Sequence, residues 1–99
     1  MKIKFLPFVN AVEMHKQHPD TFEIPSKKDL LALKKGDFVK VCLQDENRTG
    51  ERFWCQVTSI DKVQRKITAS VDNELVFYPE IELGLEVKFD FNNVYAIYQ

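Results

Sequence analysis

Ninety-nine residues, 44% hydrophobic and 29% charged, fit one domain with one core and exclude a disordered chain. No apolar run approaches the ~20 residues of a membrane-spanning helix, and a net charge of −1 gives no whole-molecule attraction to phosphate or anionic lipid. Two cysteines, Cys42 and Cys55, are too few for a disulfide framework.

Residues 2–5 read as a short extended piece. The apolar stretch that opens the chain is broken by Pro7 and Asn10 and lacks a small-x-small cleavage site, so a cytoplasmic protein is expected. Pro7 suits the first turn of a helix running to about Gln17, with Phe8, Ala11, Val12 and His15 on one face. Pro19 ends it, and residues 21–24 alternate as an extended piece before Pro25. Ser26-Lys27-Lys28-Asp29 reads as a capping box with Asp in place of Glu. The two-turn helix it opens should turn Leu30, Leu31 and Leu33 inward, carry Lys34 and Lys35 in its last turn and stop at Gly36.

From Asp37 the period becomes two. Residues 37–44 and 52–60 predict strands joined by the polar loop 45–51, and 67–71 a third strand after a turn at 62–66. Residues 75–78 form a short apolar piece before Pro79. Val87, Phe89 and Phe91 alternate in a fourth strand, Asn92-Asn93 makes a turn, and 94–98 closes the chain. One motif sounds twice: Gly36-Asp37-Phe38-Val39-Lys40-Val41 and Gly84-Leu85-Glu86-Val87-Lys88-Phe89 both read Gly-x-x-Val-Lys-apolar, each after a leucine (Leu33, Leu83). A tight glycine turn feeding a strand, used twice, fits a curled sheet. The expected fold is α+β but mostly β: a small curled antiparallel sheet or partly open barrel with two short N-terminal helices. It is one domain over 1–99, helical over 1–36 and β over 37–99.

Matching the apolar faces of the first hairpin places Val41 opposite Cys55, Val39 opposite Val57 and Leu43 opposite Phe53. The reverse face then carries Phe38, Lys40 and Cys42 beside Arg52, Trp54 and Gln56, with Cys42 against Trp54 and Lys40 against Gln56. Cys42 and Cys55 point to opposite faces, which excludes a bond between them.

Several of these residues recur in a recognisable order. Phe22-x-Ile24-Pro25, Leu33-x-x-Gly36-Asp37-x-Val39-Lys40, Gly50-Glu51-Arg52-Phe53-Trp54, Asn73 and Gly84-x-x-Val87-x-Phe89 together resemble a family of small bacterial domains of unknown function. Its members pair a Gly-Asp-x-Val-Lys strand opening with a Glu-Arg-[Met/Phe]-Trp-Val strand. The resemblance spans roughly residues 20–98. Cys55 stands where the family usually has Val, and Asn73-Glu74-Leu75 where it has Asn-x-Pro. The resemblance implies a β-rich fold and a bacterial origin and brings no activity with it.

Candidate chemistry is sparse. His15 and His18 lie three apart, a spacing that serves metal ligands on a helix, but no third or fourth ligand accompanies them, and a helix end explains both. Either cysteine as a nucleophile would need a depressed pKa, which a strand interior does not supply. Glu80 and Glu82 could share a face as an acid–base pair, yet Pro79 and Gly84 bracket them in a loop. Three scattered glycines build no phosphate loop. No enzymatic activity and no cofactor are expected.

What remains is Trp54 with Phe38, Lys40 and Arg52, aromatic and basic groups on one strand face. Such a face anchors protein interfaces or stacks bases; alternatively it is a second core beneath the N-terminal helix. The expectation is a binding module acting through protein–protein contact, of immunity or accessory-regulator type, with a small-barrel nucleic-acid-binding protein as the alternative. Charge favours the former: residues 72–90 hold six acids against Lys88 alone and should repel nucleic acid.

Overall fold

The computed structural model describes residues 6–20 and 23–98. The extended piece expected at 2–5, Phe22 and half of the piece at 21–24 lie outside them. Two short helices, α1 (Ala11–Gln17) and α2 (Lys27–Leu31), precede five strands: β1 (Phe38–Leu43), β2 (Glu51–Asp61), β3 (Lys66–Val71), β4 (Glu86–Asp90) and β5 (Ala96–Ile97). A 3-10 turn, Phe91–Asn93, links the last two. The strands form one antiparallel sheet ordered β4-β3-β2-β1-β5 that does not close on itself. The expected fold class, a small curled sheet with two short helices, is the one observed.

One face of that sheet is the core. Val39, Val41 and Leu43, Phe53, Cys55 and Val57, Ile67, Ala69 and Val71, and Val87 and Phe89 alternate inward from β1 to β4. Leu30 and Leu33 from the α2 region and Leu75, Tyr78 and Ile81 from the 72–85 connection join the same cluster. β2 has eleven residues and serves two ladders, pairing β1 through its first half and β3 through its second. A bulge between Val57 and Ser59 bends it between them, as an extra residue in one strand does. The Thr58 hydroxyl donates to the Thr68 carbonyl there (3.1 Å).

Both glycine turns are built alike, and the likeness runs beyond the six residues of the motif. Gly36 N–H donates to Val57 O (2.8 Å) while Val57 N–H donates to Asp37 O (2.7 Å). Gly84 N–H donates to Val71 O (2.8 Å) while Val71 N–H donates to Leu85 O (2.9 Å). Each glycine has positive φ, +98° and +87°, where an L side chain is disfavoured. The apolar residue that leads into each turn is three positions upstream: Leu33 before Gly36 and Ile81 before Gly84, both buried, whereas Leu83 is 60% exposed.

The first hairpin corrects the expected register. Val39 pairs with Cys55, Lys40 with Trp54, Val41 with Phe53 and Cys42 with Arg52, a shift of two residues. Two residues preserve the face of every side chain, so the alternation of apolar residues cannot detect the slip. Backbone docking decides it: Val57 is held by Asp37, which leaves 44–50 as the connecting loop.

The helices differ in detail as well. α1 begins at Ala11, because Asn10 is its cap and accepts from Glu13 N–H (3.1 Å). Pro7, Phe8 and Val9 instead run extended along β1: Gln44 N–H donates to Pro7 O, Val9 N–H donates to Cys42 O, and Phe8 bridges Leu43. Phe8 therefore belongs to the sheet, its ring against Phe53 and Phe89 (6.4 and 5.3 Å). Ser26 caps α2 as expected, accepting from Asp29 N–H (3.1 Å), but Leu31 faces solvent. Lys34 and Lys35 fall in the turn after a helix that stops at Leu31. Phe91 leaves the strand for the 3-10 turn, where Asp90 N–H donates to the Asn93 side chain (2.8 Å).

Arg48 ties the 44–50 loop to the 72–85 connection. It bonds Asp45 (2.7 Å), Glu80 (2.6 Å) and the Phe77 carbonyl (3.1 Å), and its guanidinium stacks 4.2 Å over the Tyr78 ring. The hydrogen bond from Arg48 holds the Asp45 carboxyl below its ordinary range. Glu80 is lowered first by a backbone N–H and then by Arg48.

Two outcomes follow from these contacts. A Cβ at Gly36 or Gly84 would meet nothing within 4 Å, so the cost of Gly36→Ala or Gly84→Ala is backbone strain, about 1–2 kcal/mol each. Thermal melts should show both variants several degrees less stable, and unchanged melting temperatures would mean that the turns adapt. The carboxylates of the Arg48 clamp have depressed folded-state pKa values, so their contribution is present above the ordinary carboxylate range and is lost as pH falls through and below it. The stability gap between wild type and Arg48→Ala in urea melts should therefore narrow below about pH 4; a gap independent of pH would show that the clamp does not act through its charges.

Candidate functional site

The polar residues of the recurring motifs are spent on backbone groups. Asp37 accepts from Lys34 N–H (2.9 Å) and closes the glycine turn. Glu51 accepts from Val76 N–H (2.8 Å) and Phe77 N–H (2.7 Å), pinning the 72–85 connection to the start of β2. Asn73 accepts from Trp54 N–H (2.6 Å), and Asp72 N–H donates to Trp54 O (2.9 Å), which extends the β2–β3 ladder past the end of β3. The side chains of Asp37, Glu51 and Asn73 thus fix the frame and are not available for chemistry.

The side chains left over meet on the reverse face of the sheet. Lys40 and Trp54 are directly opposite across the β1–β2 ladder, and the Lys40 ammonium lies 5.1 Å from the centre of the indole, within the range of cation–π attraction. Phe38 is one step along the same face of β1. β5 adds a residue that the sequence reading missed: Tyr98 N–H donates to Phe38 O (3.0 Å). The Tyr98 ring stands perpendicular to both neighbours, 5.9 Å from Trp54 (89°) and 6.4 Å from Phe38 (83°). Phe38, Trp54 and Tyr98 line an open groove of about 230 Å³ with Asp72 at its side. Trp54 is partly buried and Tyr98 is 68% exposed. The groove is therefore open to solvent, and Trp54 is not sealed beneath the N-terminal helix. α1 lies instead against the 3-10 turn, where the Asn93 side chain donates to Val9 O (3.1 Å).

Of the four residues singled out from sequence, three share this groove or its rim: Phe38, Lys40 and Trp54. Arg52 stands one step further along β2, opposite Cys42, with its guanidinium 5.0 Å over the Tyr95 ring. It is an exposed basic neighbour of the groove and does not line it.

The remaining candidates are explained by their surroundings. Cys55 is buried on the core face, and burial, with Asp72 adding, pushes its thiol up to about 12. Cys42 is on the reverse face; burial raises its pKa, against the opposing influence of Arg52. Neither is a thiolate at neutral pH, and both are free. His15 lies in α1 and His18 is its C-cap; no group of three or more His, Cys, Asp or Glu among the described residues could hold a metal ion. Glu80 is engaged by Arg48, so Glu80 and Glu82 are not an acid–base pair. No helix among the described residues is long and apolar enough to cross a membrane.

Comparison with protein families, with curated proteins and with solved structures returns no match to this chain. The geometry of the groove is accordingly what bears on function.

The thiols give a direct check of this placement. Alkylation of the native protein near pH 8 should modify Cys42 ahead of Cys55, and alkylation in denaturant without reductant should add two labels by intact mass. No label would mean a disulfide between the two, which opposite faces of one sheet do not permit.

Proposed function

We propose that this protein is a small binding module that acts through protein–protein contact, in the manner of an immunity-type or accessory regulator, and not as an enzyme. The observation that carries the proposal is the ring groove: Trp54, Phe38 and Tyr98 around about 230 Å³ of open space, with Lys40 stacked on the indole. Trp and Tyr supply large, stiff contact area and anchor interfaces, and flanking charges orient the partner. In this reading Trp54 is the anchor, Phe38 and Tyr98 its apolar flanks, and Lys40 and Arg52 the orienting charges. The groove is smaller than the ~300–1,000 Å³ usual for small-molecule sites, and it lies open on a sheet face, which favours a macromolecule laid across it. Free thiols at Cys42 and Cys55 accord with a cytoplasmic setting. The motif resemblance accords with a bacterial one.

Nucleic acid is the less favoured partner, because Asp72 sits in the groove and further acids follow it along the chain. The test compares wild type, Trp54→Ala and Tyr98→Ala as baits in cell lysate, with thermal melts alongside. Tyr98 is exposed, so its truncation should leave the melting temperature unchanged, and loss of an anchor should weaken binding by ~2 kcal/mol or more. A protein retained by wild type and lost by both variants supports the proposal. Retention of the same proteins by all three baits would turn attention to the acidic 72–90 region, and oligonucleotide binding that falls steeply with salt would favour the nucleic-acid alternative.

A further inference from the structure

We infer that the groove accepts a proline-rich segment in the polyproline II conformation, with a basic residue beside the prolines. This deepens the protein-binding reading above and rests on it.

Shape is the first constraint on the partner. The groove lies on the face of the sheet, so the partner cannot bind by adding a strand. Its walls are three aromatic rings, with Tyr98 perpendicular to both Trp54 and Phe38. Perpendicular rings leave furrows between them, and a furrow walled by rings suits a stiff apolar ridge. Polyproline II has three residues per turn, so the prolines of Pro-x-x-Pro project as one such ridge, and a segment already extended loses little entropy on docking.

Hydrogen bonding points the same way. A polyproline II chain makes no internal hydrogen bonds and presents its carbonyls outward as acceptors. Among the described residues no acceptor meets the Trp54 indole N–H, while the backbone N–H of the same residue is held by Asn73. The groove is therefore lined by a ring that is set on a fixed backbone and keeps a donor for a partner's carbonyl. The Lys40 ammonium on the indole restrains that ring further.

Charge then selects the flank. Asp72 lines the groove, and it follows β3 next to Trp54 on the side away from Lys40. A carboxylate beside aromatic faces attracts a guanidinium or ammonium through both, so the basic residue of the segment should lie at the β3 side. A phosphate backbone meets repulsion at the same point.

The chain has a single tryptophan, so indole fluorescence reports on this groove alone. The probes are an array of short synthetic Pro-x-x-Pro peptides with Arg before or after the prolines, their Pro→Ala counterparts and their Arg→Glu counterparts. A helical amphipathic peptide, a single-stranded oligonucleotide and a linear oligosaccharide complete the set. Saturable emission shifts are expected from a subset of the Pro/Arg peptides, weakened at least about tenfold by Pro→Ala and by Tyr98→Ala at an unchanged melting temperature. In Asp72→Lys the preference should invert from the Arg to the Glu peptides. Equal binding of Pro and Ala peptides, or no binding by any member of the Pro/Arg array, would overturn the inference. Saturable Tyr98-dependent binding of the helical peptide alone would overturn it and leave the protein-contact reading standing. Tyr98-dependent binding of the oligonucleotide or oligosaccharide alone would overturn both.

Discussion

Val57 exchanges two backbone hydrogen bonds with the Gly36–Asp37 turn, and the rest of the site depends on that exchange. It fixes where β1 starts against β2, and so which side chains become neighbours on both faces. With Asp37 opposite Val57, Lys40 comes to lie against Trp54 and Phe38 against Gln56. Two residues the other way, Cys42 would face the indole and Lys40 would lose it, while the core face would look unchanged. A single-residue slip is prevented by burial of Val39, Val41 and Leu43, but a two-residue slip is not. The turn does what the hydrophobic pattern cannot. Positive φ at Gly36 is what lets the chain present N–H and C=O to one residue of the next strand. The second turn repeats the device on Val71 and sets β4 against β3 in the same way.

The sequence carried the strands well because four of them bury one face and expose the other, and alternation reads that directly. It carried the start of α2 through Ser26, whose role is local, but not its end: the helix stops at Leu31, and Gly36 serves instead the turn that docks on Val57. What it could not carry was tertiary. Pro7 is compatible with a helix start, but Phe8 is drawn away by contacts with Phe53 and Phe89, residues more than forty positions distant. Leu31 and Leu83 look like core residues by type and are left in solvent because Leu30, Leu33 and Ile81 already fill the space. Tyr98 escaped notice because the two-residue strand β5 positions it, and a strand that short has no period to read. The likeness of the two glycine turns was visible at six residues; its upstream half, Leu33 and Ile81, has no shared residue type to reveal it.

Which residues are free to act follows from which are already engaged. Asp37, Glu51 and Asn73 stand in the most recognisable motifs, and each spends its side chain on backbone N–H groups. Arg48 is a functional-looking arginine by type, but its guanidinium is satisfied by two carboxylates, a carbonyl and a ring. These contacts stiffen the loops around the ends of β2 so that Trp54 is presented on a rigid strand. A rigid aromatic anchor loses little entropy when a partner covers it, and that is the condition under which a small groove can still support specific binding.

The edges of the sheet explain why recognition should fall on its face. At one edge the outer side of β1 is divided between the two-residue β5 and the extended Pro7–Val9 stretch, and pieces this short give a further strand little to pair with. At the other, β4 turns Glu86, Lys88 and Asp90 outward between buried Val87 and Phe89, and Lys66 pairs with Asp90 across the strand (2.8 Å). Charged side chains on an edge strand discourage a further strand from adding. In a self-pairing of two β4 strands about Lys88, the like charges of Glu86 and Asp90 would also come into register, which is unfavourable. Strand addition is thus opposed at both ends of the sheet. The reverse face near Trp54 has the opposite character: three rings, a stacked lysine and one carboxylate, with open space between them. A partner that meets this protein through aromatic contact has that face available, while one that needs backbone pairing finds little to pair with.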